Sequence, residues 1–142
     1  MIAYLDASVV LRLVLREAKP LAEWKRLTGA VASALTEVEC LRTLDRLTRA
    51  GALSGDGLAE RRAAVYDLLG GTEVVDIGRP ILKRASEQFP TPLGTLDAIH
   101  LATAIAWRDF REQELLFATH DRLLGTAARA MGFRVSGTQG SS

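Results

Sequence analysis

Short apolar runs that alternate with longer helical stretches limit the possible folds of this 142-residue chain more than any other feature. The apolar runs lie at 2–5, 30–33, 73–77, 115–118 and 133–135. Helical patterns fill the intervals, after Asp6 to about 16 and then at about 20–28, 35–50, 58–69, 80–89, 96–110 and 122–131. Strands that are separated by helices pair in parallel, and the helices cover both faces of the sheet. The pattern therefore predicts an α/β fold with a mainly parallel sheet of about four to five strands.

Composition predicts one ordinary domain over residues 1–136, followed by a disordered tail at 137–142. Apolar residues make up 48% of the chain, which is enough for a core, and no run approaches the roughly 18 apolar residues of a membrane span. The apolar start carries Asp6 and lacks a basic segment, so it is interpreted as a strand and helix rather than a signal peptide. Cys40 is the only cysteine, which excludes an internal disulfide and favours a reducing cytoplasm. With only two histidines beside it, a structural zinc site is also disfavoured.

Four acidic residues occupy positions at which a parallel sheet collects its ligands. Asp6 directly follows the first strand, and Asp121 follows the strand at 115–118. Glu39 and Asp97 lie in the first turns of two predicted helices. Ligands of open α/β sheets bind beyond the carboxyl ends of the strands. We therefore expect the four side chains to meet at that edge.

Four carboxylates suit divalent-cation chemistry, because Mg²⁺ and Mn²⁺ prefer oxygen ligands. Two such ions carry a charge of +4 and offset four ionised acids, which leaves a site that accepts a phosphodiester. In two-metal sites one ion activates water and the other stabilises the leaving oxygen. The chain shows no pattern for a histidine base or a serine nucleophile. Its net charge of +1 is too small for binding nucleic acid by bulk charge alone.

Each acid also has a simpler interpretation as part of a helix terminus. Asp6 and Asp121 can act as N-caps of the helices that follow them. Thr36 and Glu39 match the spacing of a capping box. Asp97 lies in a first turn, where the helix dipole favours an acid. Only the joint placement of the four residues at one sheet edge favours a metal site.

The motifs around these acids resemble those of PIN domains of the VapC toxin group, in order and over nearly the whole chain. The matching segments are 1–8 (MIAYLDAS), 33–42 (SALTEVECLR), 96–104 (LDAIHLATA) and 118–123 (ATHDRL). The third of these is the most specific match. Cys40 departs from the pattern, in which leucine is more common, and a small buried thiol fits that position.

The resemblance implies a PIN-like fold and an acidic set of Asp6, Glu39, Asp97 and Asp121 that binds metal and carries catalysis, with two Mg²⁺ or Mn²⁺ ions in the active complex. Thr119 and Ser8 are secondary candidates for the lining of the site. Glu37 also lies in the second motif, but two helical residues differ by about 200° in direction, so both glutamates cannot face one metal. The position of Glu39 before Cys40-Leu41-Arg42 matches the motif and favours Glu39.

The resemblance also implies an endoribonuclease that acts as the toxin of a type II toxin–antitoxin pair. It implies a tRNA or ribosomal RNA substrate, a VapB-like antitoxin, a homodimer and a toxin–antitoxin hetero-oligomer. Arg42, Arg46 and Arg49 form a helical stripe that either contacts RNA phosphates or an acidic antitoxin segment, or is simply a solvated face. His100 is expected to pack beside the site, and His120 to lie exposed in a loop.

Two other functions compete with nuclease activity. A PIN domain without catalysis would only bind a partner, and the four intact acids count against it. A receiver-like signalling module also gathers acids around Mg²⁺ at strand ends, but it needs a lysine after a late strand. Lys83 lies within a helical pattern, and the late strand is followed by Thr119-His120-Asp121.

Overall fold

A sheet of five parallel strands forms the centre of the computed structural model, which describes residues 1–16 and 23–138. The strands are β1 (Ile2–Leu5), β2 (Gly29–Ser33), β3 (Glu73–Val75), β4 (Leu116–Ala118) and β5 (Arg134–Ser136). Their order across the sheet is β3-β2-β1-β4-β5. Tyr4 in the central strand pairs with Val31 on one side and with Phe117 on the other. The predicted parallel α/β fold is therefore confirmed.

Helices cover both faces of this sheet because the strand residues alternate in direction. One face carries Tyr4, Val31 and Phe117, which pack in one core with residues of α5 (Thr95–Arg111) and α6 (Arg122–Ala130). The opposite face carries Ala3 and Leu5, in a second core with residues of α1 (Ala7–Val14), α2 (Ala34–Arg49) and α3 (Gly55–Gly70). The short helix α4 (Arg79–Ala85) lies against α5. Every strand-to-helix connection therefore leaves the sheet at its carboxyl edge.

Several predicted helix boundaries were wrong, for local reasons. The helix predicted at 20–28 is replaced by a single 3₁₀ turn at Trp24–Arg26 in the part that the structure describes, while residues 17–22 lie outside it. Helix α3 begins at Gly55 rather than at about 58, because the Ser54 hydroxyl caps it by accepting from the Gly57 amide. Helix α5 begins at Thr95, one residue before the predicted start at about 96, with Gly94 at the N-cap position.

Two elements around β3 are also shorter than predicted. Strand β3 ends at Val75, whereas the apolar run extends to 77. Helix α4 ends at Ala85, although the prediction carried it to about 89. The hydroxyl and the amide of Ser86 both bond to the carbonyl of Leu82, which closes the last turn there.

The first two residues of the predicted disordered tail belong to the folded structure. Gly137 has a φ of +106°, and a Cβ there would lie 2.2 Å from the carbonyl oxygen of Thr119. Only glycine allows the chain to pass so close to the end of β4. Thr138 follows and accepts a hydrogen bond from Arg129. The rest of the predicted tail, 139–142, lies outside the described residues.

The two tryptophans pack against opposite faces of the sheet. Trp107 is buried in the α5–α6 core and donates its indole N–H to Glu73, and Trp24 packs against the opposite core. In the described part of the chain, no helix has the length and apolar character needed to cross a bilayer.

Candidate metal centre

The four predicted acids lie at the carboxyl edge of the sheet, each on a different connection. Asp6 joins β1 to α1, and Asp121 joins β4 to α6. Glu39 lies in the second turn of α2, and Asp97 in the first turn of α5. Burial and the charges of Asp121, Asp6 and Glu39 raise the pKa of Asp97 to about 6. The structure therefore brings Asp97 within electrostatic reach of the other three acids, although 115 positions separate Asp6 from Asp121.

Asp6 is the most enclosed of the four carboxylates, with a side chain held by three donors. Its Oδ1 accepts from the Ser8 hydroxyl at 2.5 Å and from the Val9 amide at 3.2 Å. Its Oδ2 accepts from the Thr119 hydroxyl at 2.6 Å. Burial raises the pKa of Asp6, and the hydrogen bonds from Ser8 and Thr119 oppose that rise because they stabilise the ionised form.

Ser8 and Thr119, the secondary candidates, connect Asp6 to the loop between β4 and α6. The Thr119 hydroxyl accepts from the Asp121 amide at 3.0 Å. The Ser8 hydroxyl accepts from the His120 amide at 3.0 Å. Both hydroxyls therefore donate to one acid while they fix the backbone that carries another.

Glu39 is held from the other side of the cluster by His100. Its Oε1 lies 2.5 Å from Nε2 of His100, whose Nδ1 lies 2.7 Å from the Tyr4 hydroxyl. Glu39, rather than Glu37, is the α2 acid whose charge raises the pKa of Asp97. The predicted packing of His100 beside the site agrees with this arrangement. Tyr4 was missed, because a tyrosine inside an apolar strand looks like a core residue.

The capping-box interpretation of Thr36 and Glu39 is wrong. Helix α2 is capped by Ser33, whose hydroxyl accepts from the Leu35 amide at 3.0 Å. Thr36 lies inside the helix with a buried hydroxyl, and Glu39 points to His100 instead of back to the cap. The simpler interpretations of Asp6 and Asp121 do hold, since each accepts from an amide of the helix that it begins. At these two positions a cap and a place in the acidic cluster coexist.

Comparison with known proteins identifies the family. The family model of the PIN domain matches residues 3–129. The chain belongs to the PIN domain family. This finding confirms the resemblance that the four motifs carried.

A curated relative extends the resemblance to ribonucleases. Ribonuclease VapC47 of Mycobacterium tuberculosis (strain CDC 1551 / Oshkosh) is 28% identical to this PIN domain over 137 residues, covering 92% of both chains.

Solved structures with less than 25% identity share its fold. VapBC2 from Rickettsia felis, bound to a DNA fragment from its promoter, superposes with a TM-score of 0.66 at 12% identity, covering 95% of this chain and 97% of the other. FitAcB from Neisseria gonorrhoeae superposes with a TM-score of 0.65 at 21% identity, covering 95% of this chain and 96% of the other. PAE2754 from Pyrobaculum aerophilum superposes with a TM-score of 0.62 at 19% identity, covering 94% of this chain and 89% of the other.

The carboxylate oxygens of this PIN domain fit a hard divalent cation. A carboxylate has about four lone-pair positions, so the three hydrogen bonds that Asp6 accepts leave one position for an ion. The Leu124 amide takes one position on Asp121, and His100 takes one on Glu39. Among residues 1–16 and 23–138 no three acidic, histidine or cysteine side chains are already arranged as a ligand set. Ionised carboxylates repel one another, and their approach to chelating distance requires the charge of a cation.

His120 differs from its prediction as an exposed loop residue. Its ring is partly buried, and its Nδ1 lies 2.8 Å from the Gly137 carbonyl oxygen. The Nε2 atom is buried as well. The imidazole thereby connects the β4–α6 loop to the end of β5.

The arginine stripe on α2 is exposed and partly neutralised. Arg49 pairs with Asp45 at 2.9 Å, and Arg42 reaches the same carboxylate at 3.7 Å. Arg46 donates to the Thr43 hydroxyl. The stripe begins one turn after Glu39 and leads away from the acids along the exposed side of α2.

Proposed function

We propose that this PIN domain is an Mg²⁺- or Mn²⁺-dependent endoribonuclease that acts as the toxin of a type II toxin–antitoxin pair. One observation carries the proposal: acids from four separate connections lie at the carboxyl edge of the sheet, where the charges of Asp121, Asp6 and Glu39 raise the pKa of Asp97. A protein keeps such mutually repelling groups together at a cost in stability, and a divalent cation removes that cost. The 28% identity to a VapC ribonuclease supports RNA as the substrate.

The residues that would hold the Mg²⁺ or Mn²⁺ ions are Asp6, Glu39, Asp97 and Asp121. When bound, such ions activate water and stabilise the leaving oxygen of a phosphodiester. The chain itself supplies orientation. Ser8 and Thr119 fix the Asp6 carboxylate, and the Asp6 and Asp121 caps tie two ligands to rigid helix termini.

The partner assignments rest on the solved relatives. The Rickettsia felis structure is a VapBC2 assembly, which supports a small VapB-like protein as the partner of this chain. We further propose that the chain forms a homodimer and that the antitoxin blocks the acidic edge. A test in cells is to express the chain alone and together with the product of an adjacent gene that encodes a small DNA-binding protein.

An RNA cleavage assay tests the chemistry. We expect the purified protein to cut RNA with Mn²⁺ or Mg²⁺ and to lose activity in EDTA. Asp6→Asn and Asp97→Asn keep the shape of the side chain but remove its charge, so each should lower the rate by more than the roughly 10–100-fold that loss of an outer-shell partner costs. Asp67→Asn, at an exposed position of α3, is the matched control and should cut like the parent protein.

The alternative functions predict different results. A silent PIN domain would not cut RNA with either metal, although it would still bind its partner. A receiver-like module would take phosphate from a small phosphodonor, but β4 is followed by Thr119-His120-Asp121, without the lysine that such a module needs. Full cleavage by a well-folded Asp97→Asn variant under controlled metal would contradict the proposed mechanism.

A further inference from the structure

A buried hydrogen-bonded chain runs from Tyr4 in β1 through His100 in α5 to Glu39 in α2. We propose that His100, anchored by Tyr4, is a positioning residue that orients the Glu39 carboxylate toward the cation-binding cluster. This inference rests on the proposed function, because it assigns to His100 a role in metal binding by the four acids.

The direction of the bond to Glu39 follows from the donors and acceptors available. A carboxylate only accepts, so the imidazole Nε2 must carry the hydrogen. The Tyr4 hydroxyl can donate to Nδ1 or accept from it, so the bond to Glu39 is the same for neutral and for charged imidazole. His100 therefore occupies Oε1 of Glu39 and leaves the second oxygen of that carboxylate to an ion.

Burial makes the hydrogen-bonded series of Tyr4, His100 and Glu39 rigid. His100 is 1% exposed and Tyr4 is fully buried, whereas 22% of the Glu39 side chain remains accessible. The Tyr4 ring also stacks on Phe117, with centroids 5.2 Å apart. An imidazole that is hydrogen-bonded at both nitrogens has little freedom to rotate. Glu39, the accessible end of this series of hydrogen bonds, is the residue that meets the acidic cluster.

The same series of hydrogen bonds connects β1, α5 and α2, and each of these elements leads to or carries one of the acids. Tyr4 lies in β1, two residues before Asp6, which directly follows that strand. His100 lies three residues after Asp97, which places both on one side of α5. A leucine of similar volume would fill the space at position 100 without ordering Glu39. A buried polar group is costly unless it is bonded, and here His100 is bonded to Tyr4 in the core and to Glu39 at the acidic edge.

Mn²⁺ affinity, measured by titration calorimetry on the full chain, tests the inference. His100→Asn and His100→Gln carry the same amide, but only the longer glutamine places an N–H near the position of Nε2. We expect His100→Asn to weaken Mn²⁺ binding by about 10–100-fold, the usual effect of losing an outer-shell partner. His100→Gln should recover most of that loss. Tyr4→Phe, which keeps the buried ring, should give a smaller loss of the same sign.

A double-mutant cycle separates positioning from a general structural effect. In a Glu39→Gln background, His100→Asn should weaken Mn²⁺ binding by less than about twofold, because the group through which it acts is already changed. Circular dichroism and thermal unfolding establish that the variants fold. If His100→Asn does not fold, Tyr4→Phe alone decides the question, and parent-like affinity for Mn²⁺ in Tyr4→Phe overturns the inference.

The possible failures can be told apart. Parent protein that binds Mn²⁺ in an Asp97-dependent way, with equal affinity in His100→Asn, overturns the positioning role alone. Equal losses for His100→Asn in the parent and in the Glu39→Gln backgrounds overturn it as well, because they show a path that bypasses Glu39. Parent protein that binds no Mn²⁺ overturns the proposed metal centre and this inference with it.

Discussion

The Thr119 hydroxyl donates to Oδ2 of Asp6 at 2.6 Å and thereby joins two residues that are 113 positions apart. The same oxygen of Thr119 accepts from the amide of Asp121 at 3.0 Å. One buried hydroxyl thus fixes the carboxylate of one acid and the backbone of another.

We predict that Thr119→Val weakens Mn²⁺ binding by about tenfold and lowers the free energy of unfolding by about 1–3 kcal/mol. Valine fills the same volume but removes the donor, so Asp6 loses one of its three hydrogen bonds and gains freedom to turn. Calorimetric titration and urea unfolding measure the two effects. Thr119→Ser retains the hydroxyl and should bind Mn²⁺ nearly as the parent protein does.

The control for this substitution is Thr48→Val. Thr48 also donates its hydroxyl, but to the Leu44 carbonyl within α2. Thr48→Val should therefore leave Mn²⁺ affinity unchanged. Equal affinity of Thr119→Val and the parent protein for Mn²⁺ would show that Asp6 needs no support from the β4–α6 loop.

The positions of the acids that follow strands could be predicted from the sequence. The hydrogen-bond partners that orient the acidic side chains could not. Asp6 and Asp121 come directly after apolar runs, and the rule that parallel strands end at one edge places them together. The bonds of His100 to Tyr4 and Glu39 span 96 and 61 positions, and they depend on how α2 and α5 pack against the sheet. No local pattern contains that information.

The predicted N-cap of α2 was wrong for a related reason. Thr36 and Glu39 have the spacing of a capping box, but Ser33, at the end of β2, reaches the first amides before Thr36 can. Strand β2 therefore sets where α2 begins. In the helix that begins after Ser33, the Glu39 side chain points to the acidic edge instead of back to the N-terminus of α2. The position of the N-cap thus decides the direction of a candidate metal ligand.

Gly137→Ala should destabilise the fold and weaken the site, because Gly137 has a φ of +106° and lies against Thr119. Backbone strain alone costs about 1–3 kcal/mol in such a conformation. The matched control is Gly51→Ala, with a φ of +81° but nothing within 4 Å of the added Cβ. Urea unfolding should show a larger loss for Gly137→Ala, and only that variant should also lose Mn²⁺ affinity. Similar losses in both would mean that Thr119 moves aside without consequence.

The arginine stripe provides a matched pair for RNA binding. Arg42 lies one turn after Glu39 and pairs loosely with Asp45, whereas Arg49 lies two turns further away and pairs closely with that carboxylate. If the stripe contacts phosphates, Arg42→Gln should reduce the slope of log affinity against log salt by about 0.7, the value for one contact with a single strand. Arg49→Gln should leave the slope unchanged. Binding of RNA to an Asp97→Asn protein at several salt concentrations measures this, and equal slopes for all proteins would favour a solvated face.

Asp97 should make the metal-free protein less stable as the pH rises. Its pKa is about 6 in the folded chain against an ordinary 3.8, so the folded state holds the proton more tightly than the unfolded state does. The stabilisation is therefore complete below about pH 4 and is lost as the pH passes 6. Because Asp97 is partly exposed, we expect an effect of about 1 kcal/mol rather than the full value of the shift.

Asp97→Asn removes this titration, and its comparison with the parent protein isolates Asp97 from the other acids. In EDTA the variant should be more stable than the parent protein by about 1 kcal/mol at pH 7 and equally stable at pH 4, as measured by urea unfolding. Added Mn²⁺ should stabilise the parent protein at pH 7 and have a much smaller effect on the variant, because a cation offsets the same repulsion that the amide removes. An Asp97→Asn protein that is less stable than its parent at pH 7 would show that the Asp97 carboxylate is held by favourable contacts and not strained by its acidic neighbours.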